Sequence, residues 1–377
     1  MIESLYIHFP FCRHLCNYCD FYKKIGPNSE AINDFHHFFD LSWQAHQQFM
    51  EKNAVSFKKL KTLYIGGGTP SLWGKEGAIF LEDLFKREGL LREEDAECTL
   101  EVNPGSWDDQ SLLAWQQFGM NRFSLGIQSL DERFLRLLDR VHSLDEVYQT
   151  LKKFQQMKVR FSVDFMLGLP FSKQYQRNIL AELEEILSFG PEHISLYILT
   201  TNKGYIHAKH LPDDDFIADE YLAVSDYLKA KGFYHYEVSN FSKEGRQSQH
   251  NLQYWKSKSV AALGPSATGF LSENQLRYKW KTQNPEFVEE KLSDASFRIE
   301  KIYMGLRSEV GLKESILGPN LSEEELRSFR DLCKSWQQRG LVEIKKQGDL
   351  AGIFATSQGF LALDHLMEEL FNAVKSL

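Results

Sequence analysis

The chain has 377 residues, enough for a substantial core in one large domain with a smaller one attached. Charged residues make up 25 % of it and the formal net charge is −8, the profile of a globular protein without a basic tract to meet nucleic acid. No apolar run approaches the roughly 18 residues needed to span a bilayer, so no transmembrane segment is expected and any membrane contact is peripheral.

Taken in chain order, short β-rich apolar runs alternate with helical stretches up to about residue 235. The first expected strand, Leu5–Phe9, leads into Cys12-x3-Cys16-x2-Cys19, with Asp20-Phe21 where a fourth thiolate would have stood. Three thiolates on one short loop suit a [4Fe-4S] cube, which normally takes four and is left with one open iron. The alternative is structural zinc, with His8 or His14 as fourth ligand, although the second Cys pair usual in such sites is missing. The sequence shows no signal peptide, and only Cys98 and Cys333 remain elsewhere, so a reducing cytoplasm is expected and disulfides are not. Segment 30–52 places Ile32, Phe35, Phe39, Trp43 and Phe49 near helical spacing.

Five more strands follow, and their ends carry the polar and glycine-rich motifs. Thr62–Gly66 runs into Gly66-Gly67-Gly68-Thr69-Pro70, where missing side chains let backbone approach a ligand. Cys98–Val102 ends in Glu101-Val102-Asn103-Pro104. Arg122–Ile127 ends in Gly126-Ile127-Gln128-Ser129, with Arg140 and His142 in the next loop. Phe161–Met166 carries Asp164 and leads to Gly168-Leu169-Pro170, and Ile194–Leu199 is the sixth. Alternating β and α with strands apolar on both faces means a parallel sheet covered by helices. Six units give an α/β fold, an incomplete (β/α)6 barrel, with chemistry at the C-terminal strand ends.

Residues 236–290 show many aromatic and polar residues and little period, which reads as a connecting segment over the barrel mouth. Residues 291–377 read as a smaller, mostly helical domain. Ser322-Glu323-Glu324-Glu325 has the form of a capping box, followed by Leu326, Phe329, Cys333 and Trp336 at helical spacing. Gly340 ends that helix, a hairpin turns at Gln347-Gly348-Asp349, and a last helix runs from about 358. The pattern is winged-helix-like, but without a basic recognition face it reads as a cap or docking domain.

Tyr6-Ile7-His8-Phe9-Pro10-Phe11-Cys12 through Phe21, Gly-Gly-Gly-Thr-Pro, Glu-Val-Asn-Pro, Gly-Ile-Gln-Ser and Asp164…Gly-Leu-Pro stand in the order and spacing of one branch of the radical S-adenosylmethionine (SAM) superfamily. That branch holds the oxygen-independent coproporphyrinogen III dehydrogenases and the HemW-type haem chaperones. The chain resembles it over nearly its whole length, including the stretch around Leu306-Arg307 and Gly311. The resemblance implies a radical SAM barrel with a [4Fe-4S] cluster on Cys12, Cys16 and Cys19 and the methionyl end of SAM on the open iron. Reduction then cleaves SAM to methionine and a 5′-deoxyadenosyl radical. It also implies that Tyr6, Tyr18, Gly67, Gly68, Thr69, Glu101, Gln128, Arg140 and Asp164 surround SAM, with Ile198 adding an apolar contact. Gly68 and Thr69 would meet the methionyl end, Glu101 and Asp164 would accept from ribose hydroxyls or adjacent donors, Arg140 would pair the carboxylate, and Tyr18 would wall the adenine.

Two features separate the branches. The dehydrogenases carry a further cysteine two residues after the third, where this chain has Phe21, and an N-terminal extension before the cysteine motif, which here begins a few residues in. The chaperones carry His-Asn-x-x-Tyr-Trp, matched by His250-Asn251-Leu252-Gln253-Tyr254-Trp255. By that resemblance His250 is a candidate axial ligand to haem iron, with Tyr254 and Trp255 covering a face of the macrocycle. The chain departs from the pattern at Phe171-Ser172-Lys173, at Thr200-Thr201-Asn202-Lys203-Gly204, and at Thr268, where relatives often place histidine. The expectation is a haem chaperone with a cluster and SAM. Its partners would be haem, haem-acceptor proteins and a low-potential electron donor such as flavodoxin or ferredoxin. The alternatives are the dehydrogenase and a binding module that has lost radical chemistry.

Overall fold

A computed structural model describes residues 1–201, 204–319, 321–347 and 350–377. Strands β1 (Ile2–Phe9), β2 (Phe57–Gly67), β3 (Arg92–Val102), β4 (Arg122–Gln128), β5 (Arg160–Leu167) and β6 (His193–Ile198) lie side by side in chain order, all parallel. The register sets Ile7 beside Ile65, Leu63 beside Cys98 and Val163 beside Ile194, buried apolar side chains that share one face of the sheet; the other face, expected to be apolar too, carries Tyr6, Tyr64, Glu101, Ser124 and Asp164. All six expected strands are present. β2 and β3 begin several residues earlier than the apolar pattern suggests, because Leu60 pairs with Arg92 and the ladder continues through charged, outward-facing positions.

Helices α1 (Ser29–Lys52), α2 (Gly74–Arg87), α3 (Asp109–Phe118), α4 (Leu144–Met157), α5 (Ile179–Leu187) and α6 (Asp214–Ala230) alternate with these strands. The Asn28 side chain accepts from the Ala31 amide and starts α1, which buries Ile32, Phe35, Phe39, Trp43 and Phe49 as its spacing predicts. Burying such side chains stabilises the fold by roughly 1.5–3 kcal/mol each. Cys98 and Cys333 are buried in the apolar core, away from the other three cysteines.

The segment 236–290 is more ordered than its lack of period suggests. Strand β7 (Tyr234–Glu237) pairs antiparallel with β8 (Asn240–Ser242), which adds antiparallel to β6, and β9 (Ala261–Leu263) adds parallel to β1, so this stretch supplies both edges of the sheet. Three- and four-residue strands are too short to show a period. Between them lies the seven-residue helix α7 (Gln249–Trp255) with the His-Asn-x-x-Tyr-Trp sequence. A three-stranded antiparallel meander follows: β10 (Thr268–Leu271), β11 (Leu276–Trp280) and β12 (Phe287–Lys291). It docks on α1 through Tyr278, whose hydroxyl lies 2.7 Å from His46 Nε2.

The C-terminal part contains α8 (Asp294–Leu306), α9 (Glu323–Gln338) and a small sheet of Leu312–Lys313, Val342–Gln347 and Leu350–Ala355, followed by Ser357–Leu361 and Leu363–Ala373. The Ser322–Glu325 capping box forms as expected. The predicted hairpin turn at Gly348-Asp349 lies outside the described residues. This part is tied to the sheet by the Val238 amide donating to the Arg307 carbonyl (2.9 Å) and by Ser357 Oγ at 2.9 Å from His235 Nδ1. Among the described residues no helix is long and apolar enough to cross a membrane.

Candidate cluster and cofactor site

The loop carrying the three cysteines leaves β1 at Phe9 and is tied down along its length. Gly68 and Thr69 amides donate to the Phe9 and Phe11 carbonyls (2.7 and 2.8 Å), joining the glycine motif to the start of the loop. His8 Nε2 lies 2.9 Å from the Tyr22 carbonyl and pins its far end. His14 Nε2 meets Asp139 Oδ2 at 2.7 Å and anchors its middle to the loop after β4. Both candidate fourth ligands for zinc are thus engaged elsewhere. A Cβ on Gly68 would fall 2.6 Å from the Phe11 carbonyl oxygen, so glycine is required there by the close approach of backbone to backbone.

Cys12, Cys16 and Cys19 are free thiols that line one cavity with Gly67, Gly68, Thr69 and Arg140. Thr69 Oγ1 donates to Cys12 Sγ at 3.6 Å. Burial raises the Cys12 and Cys16 thiol pKa values, with Thr69 opposing this at the first and Arg140 at the second. Among the described residues no three His, Cys, Asp or Glu side chains converge on one ion position. A cube binds one thiolate per iron and so needs its cysteines spread around it.

A second cavity of about 360 Å³ shares Tyr18, Cys19, Gly67, Gly68, Thr69 and Arg140 with the first and runs inward over the strand ends. Glu101, Gln128 and Asp164 line it, together with Asn103, Ser124, Met166, Tyr197 and Thr200. Glu101 accepts from the Tyr64 hydroxyl through Oε1 (2.9 Å) and from the Gly67 amide through Oε2 (2.9 Å). Burial pushes its carboxyl up to about 7, against the pull of Tyr64, with the nearby Asp164 adding to the rise. Asp164 is raised to about 6, again chiefly by burial, while Ser124 donates to its Oδ1 at 3.3 Å. Arg140 Nη2 donates to Asn103 Oδ1 and to the Gly126 carbonyl, both at 2.7 Å, which fixes the guanidinium beside Cys16 and Tyr18. Gln128 ends β4 with a left-handed backbone, φ 73°, a strained conformation for a residue other than glycine.

Eight of the residues named as SAM contacts thus share this cavity: Tyr18, Gly67, Gly68, Thr69, Glu101, Gln128, Arg140 and Asp164. Two do not. Tyr6 lines a neighbouring cavity on the far side of Gly67 and Glu101, its hydroxyl 3.0 Å from His8 Nδ1. Ile198 lines an adjoining cavity with Tyr221, Val238 and Phe360, and Tyr197 and Thr200 line both that cavity and this one.

Some cavity groups carry no motif. His142 lines the first cavity, its pKa pushed down to about 3 by burial and by Arg140, and its Nε2 is buried without a partner. As a neutral imidazole bonded to the Ile127 carbonyl, it offers that nitrogen as an acceptor to a bound molecule. Tyr64 carries no motif either and stands behind the cavity wall, recognisable only through its bond to Glu101. Of the departures from the family pattern, Phe171 stacks on His210 at 4.1 Å, Thr200 lines the cavity, and Asn202 and Lys203 lie outside the described residues.

The haem-motif residues stand apart. His250 is 1 % exposed, with Nδ1 2.9 Å from Thr62 Oγ1 and Nε2 3.3 Å from the Tyr254 hydroxyl. Burial pushes its pKa down to about 3. Trp255 packs under the Arg307 guanidinium at 5.6 Å, facing the C-terminal part. In this arrangement neither nitrogen of His250 is presented to an iron.

A parallel barrel whose strand ends gather three cysteines, a glycine turn and two buried carboxylates defines a radical SAM protein, and the donor set fits a three-thiolate cluster with a zwitterionic nucleoside beside it. The comparisons agree. Residues 6–183 match the radical SAM superfamily. The chain is 31 % identical to the mitochondrial "Radical S-adenosyl methionine domain-containing protein 1" of Bos taurus, over 99 % of this chain and 88 % of that one. It is 30 % identical to "Heme chaperone HemW" of Escherichia coli, over 89 % and 93 %. The solved structure of coproporphyrinogen III oxidase (HemN) from Escherichia coli, described as a radical SAM enzyme, superposes with a TM-score of 0.79 at 18 % identity, covering 97 % of this chain and 89 % of that one, which is a likeness of fold. This chain belongs to the radical SAM superfamily, in its HemW-type branch.

Proposed function

We propose that the protein binds haem and passes it to acceptor proteins, with a [4Fe-4S] cluster on Cys12, Cys16 and Cys19 and SAM in the adjoining cavity. Near-full-length similarity to proteins named haem chaperones supports this. The structural observation that carries it over decarboxylation of a porphyrinogen is Phe21. It holds the position of the dehydrogenases' extra cysteine, lines the cavity rim and is 71 % exposed, an apolar ring open to a flat macrocycle.

A cluster held by Cys12, Cys16 and Cys19 would supply one-electron reduction to SAM bound beside it. The chain's own part is to hold the cofactor in place. Gly67 and Gly68 bring backbone to its methionyl end, Arg140 supplies positive charge there, Glu101 and Asp164 accept from ribose hydroxyls, and Tyr18 walls the base. A low-potential donor such as flavodoxin or ferredoxin would reduce the cluster. Haem ligation by His250 goes with displacement of α7, because its ring must give up Thr62 or Tyr254 to reach iron.

An anaerobic haem titration of the reconstituted protein tests this. The wild type should develop a saturable Soret band that His250→Ala shifts or weakens, and the amides of α7 should lose protection from hydrogen exchange when haem binds. With SAM and reductant, coproporphyrinogen III should remain unconverted. Turnover would favour the dehydrogenase. An unchanged Soret band in His250→Ala would exclude that histidine as ligand, and no haem binding would remove the chaperone reading.

A further inference from the structure

We propose that His250 is a positioning residue for the cofactor cavity, holding the carboxylate of Glu101 in place through the ring of Tyr64. The inference concerns SAM and does not depend on haem.

α7 lies against β2 and β3 inside the barrel, beneath the cavity. Ser248 caps it by accepting from the Asn251 amide. The His250 amide donates to Glu97 Oε1 at 3.1 Å, and the Thr62 contact fixes the ring's Nδ1 edge. The backbone of His250 is thus held from β3 and its ring from β2. Its face meets the Tyr64 ring at a centroid distance of 5.1 Å and an interplanar angle of 30°, a stacked pair. Tyr64 stands on β2 one layer nearer the mouth than Thr62, two residues along the same face. Its hydroxyl is the donor to Glu101 Oε1.

The chain of contacts therefore runs from α7 to the carboxylate at the cavity wall without a gap: Glu97 and Thr62 hold His250, His250 holds the Tyr64 ring, and Tyr64 holds Glu101. A second branch leaves the same imidazole. Tyr6 lies 6.3 Å from it and 6.1 Å from Tyr64, and its hydroxyl reaches His8, which pins the end of the cysteine loop. A histidine serving only the core would not need one neighbour whose hydroxyl holds Glu101 at the cavity wall and another whose hydroxyl holds the residue that pins the cysteine loop. Aromatic stacking fixes a ring's plane, and a hydroxyl hydrogen bond falls off steeply with angle. Removing the imidazole frees Tyr64 to rotate, and Glu101 loses a donor that favours its charged form.

The test is calorimetric titration of SAM into anaerobically reconstituted protein without haem, at several pH values, for His250→Ala, His250→Phe, Tyr64→Phe and the Tyr64→Phe, His250→Ala double variant. Iron and sulfide content certifies each cluster. Tyr64→Phe and His250→Ala should each weaken SAM binding about 3- to 30-fold, the range for one aromatic contact or hydrogen bond. Both should move the pH midpoint of binding upward, set by Glu101 among Tyr64, Asp164 and Arg122. The double variant should lose no more than the larger single loss, because both act along one path. His250→Phe keeps a ring against Tyr64 and should retain more affinity than His250→Ala. Wild-type affinity and midpoint in His250→Ala with a full cluster, or additive losses in the double variant, would overturn the proposal. Should His250→Ala fail to load a cluster, wild-type affinity in Tyr64→Phe, or equal loss in His250→Phe and Tyr64→Phe variants with an unmoved midpoint, would overturn it instead.

Discussion

Replacing Glu101 with glutamine isolates the charge at the cavity wall from its shape. The amide carbonyl can still accept from the Gly67 amide, and the amino group faces the Tyr64 hydroxyl, which turns to accept, so both 2.9 Å contacts have successors. What disappears is the charge. Hydrogen bonds to charged groups contribute roughly 1.5–3 kcal/mol and neutral ones roughly 0.5–1.5 kcal/mol, so Glu101→Gln should cost about 1–2 kcal/mol of SAM binding, about 5- to 30-fold in Kd. The pH profile carries more information than the single value. Burial holds the Glu101 carboxyl near 7, with Asp164 raising it and Tyr64, Gly67 and Arg122 lowering it. Donors on the ribose favour the ionised form, so wild-type affinity should rise up to about tenfold per pH unit toward 7 and level off above it. In Glu101→Gln that slope should vanish, leaving only the Asp164 contribution below about 6. Calorimetric titration between pH 5.5 and 8.5, with cluster absorbance as control, decides this. A flat wild-type profile through 7, or an undiminished slope in the variant, would refute a carboxylate that must ionise to hold the cofactor.

Without SAM the sign reverses. The unfolded carboxyl titrates near 4.5 and the folded one near 7. The apo protein should therefore lose stability as pH rises from 4.5 through 7, by on the order of 3 kcal/mol, and chemical denaturation of Glu101→Gln should show that slope flattened. Cys12→Ala, Cys16→Ala and Cys19→Ala should each prevent assembly of a stable cluster, while Cys98→Ala and Cys333→Ala, in the core, should leave iron and sulfide content intact. A full cluster in a single motif variant would contradict the assignment. Gly68→Ala puts a Cβ 2.6 Å from the Phe11 carbonyl oxygen and should destabilise the protein by about 1–3 kcal/mol in urea unfolding. An unmoved midpoint would show that the loop yields freely.

The barrel and most of the cavity were legible in the sequence because local chemistry marks them. Apolar runs fix β1 to β6, and the glycine, carboxylate and cysteine motifs stand where the strands end. Tyr64 was not legible, since nothing local distinguishes a strand tyrosine until Glu101 lies opposite its hydroxyl. Ile198, named for an apolar contact, lines the adjoining cavity, which shares Tyr197 and Thr200 with this one. Tyr6 was assigned to the SAM cavity and stands behind its wall, one layer of side chains away. His250 shows the limit most plainly. Its motif is complete in sequence, yet a seven-residue helix gives no hint that it folds into the barrel and spends both ring nitrogens on Thr62 and Tyr254. The short strands at the sheet edges were missed for the same reason, since their pairing is long-range and their length hides any pattern.

Electron paramagnetic resonance of the reduced, anaerobically reconstituted protein tests the centre of this account most directly. A cluster held by Cys12, Cys16 and Cys19 leaves one iron open, and SAM added to the wild type should change the line shape of the reduced [4Fe-4S] signal as its amine and carboxylate occupy that iron. An identical spectrum with and without excess SAM, or a signal that survives in Cys16→Ala, would contradict it.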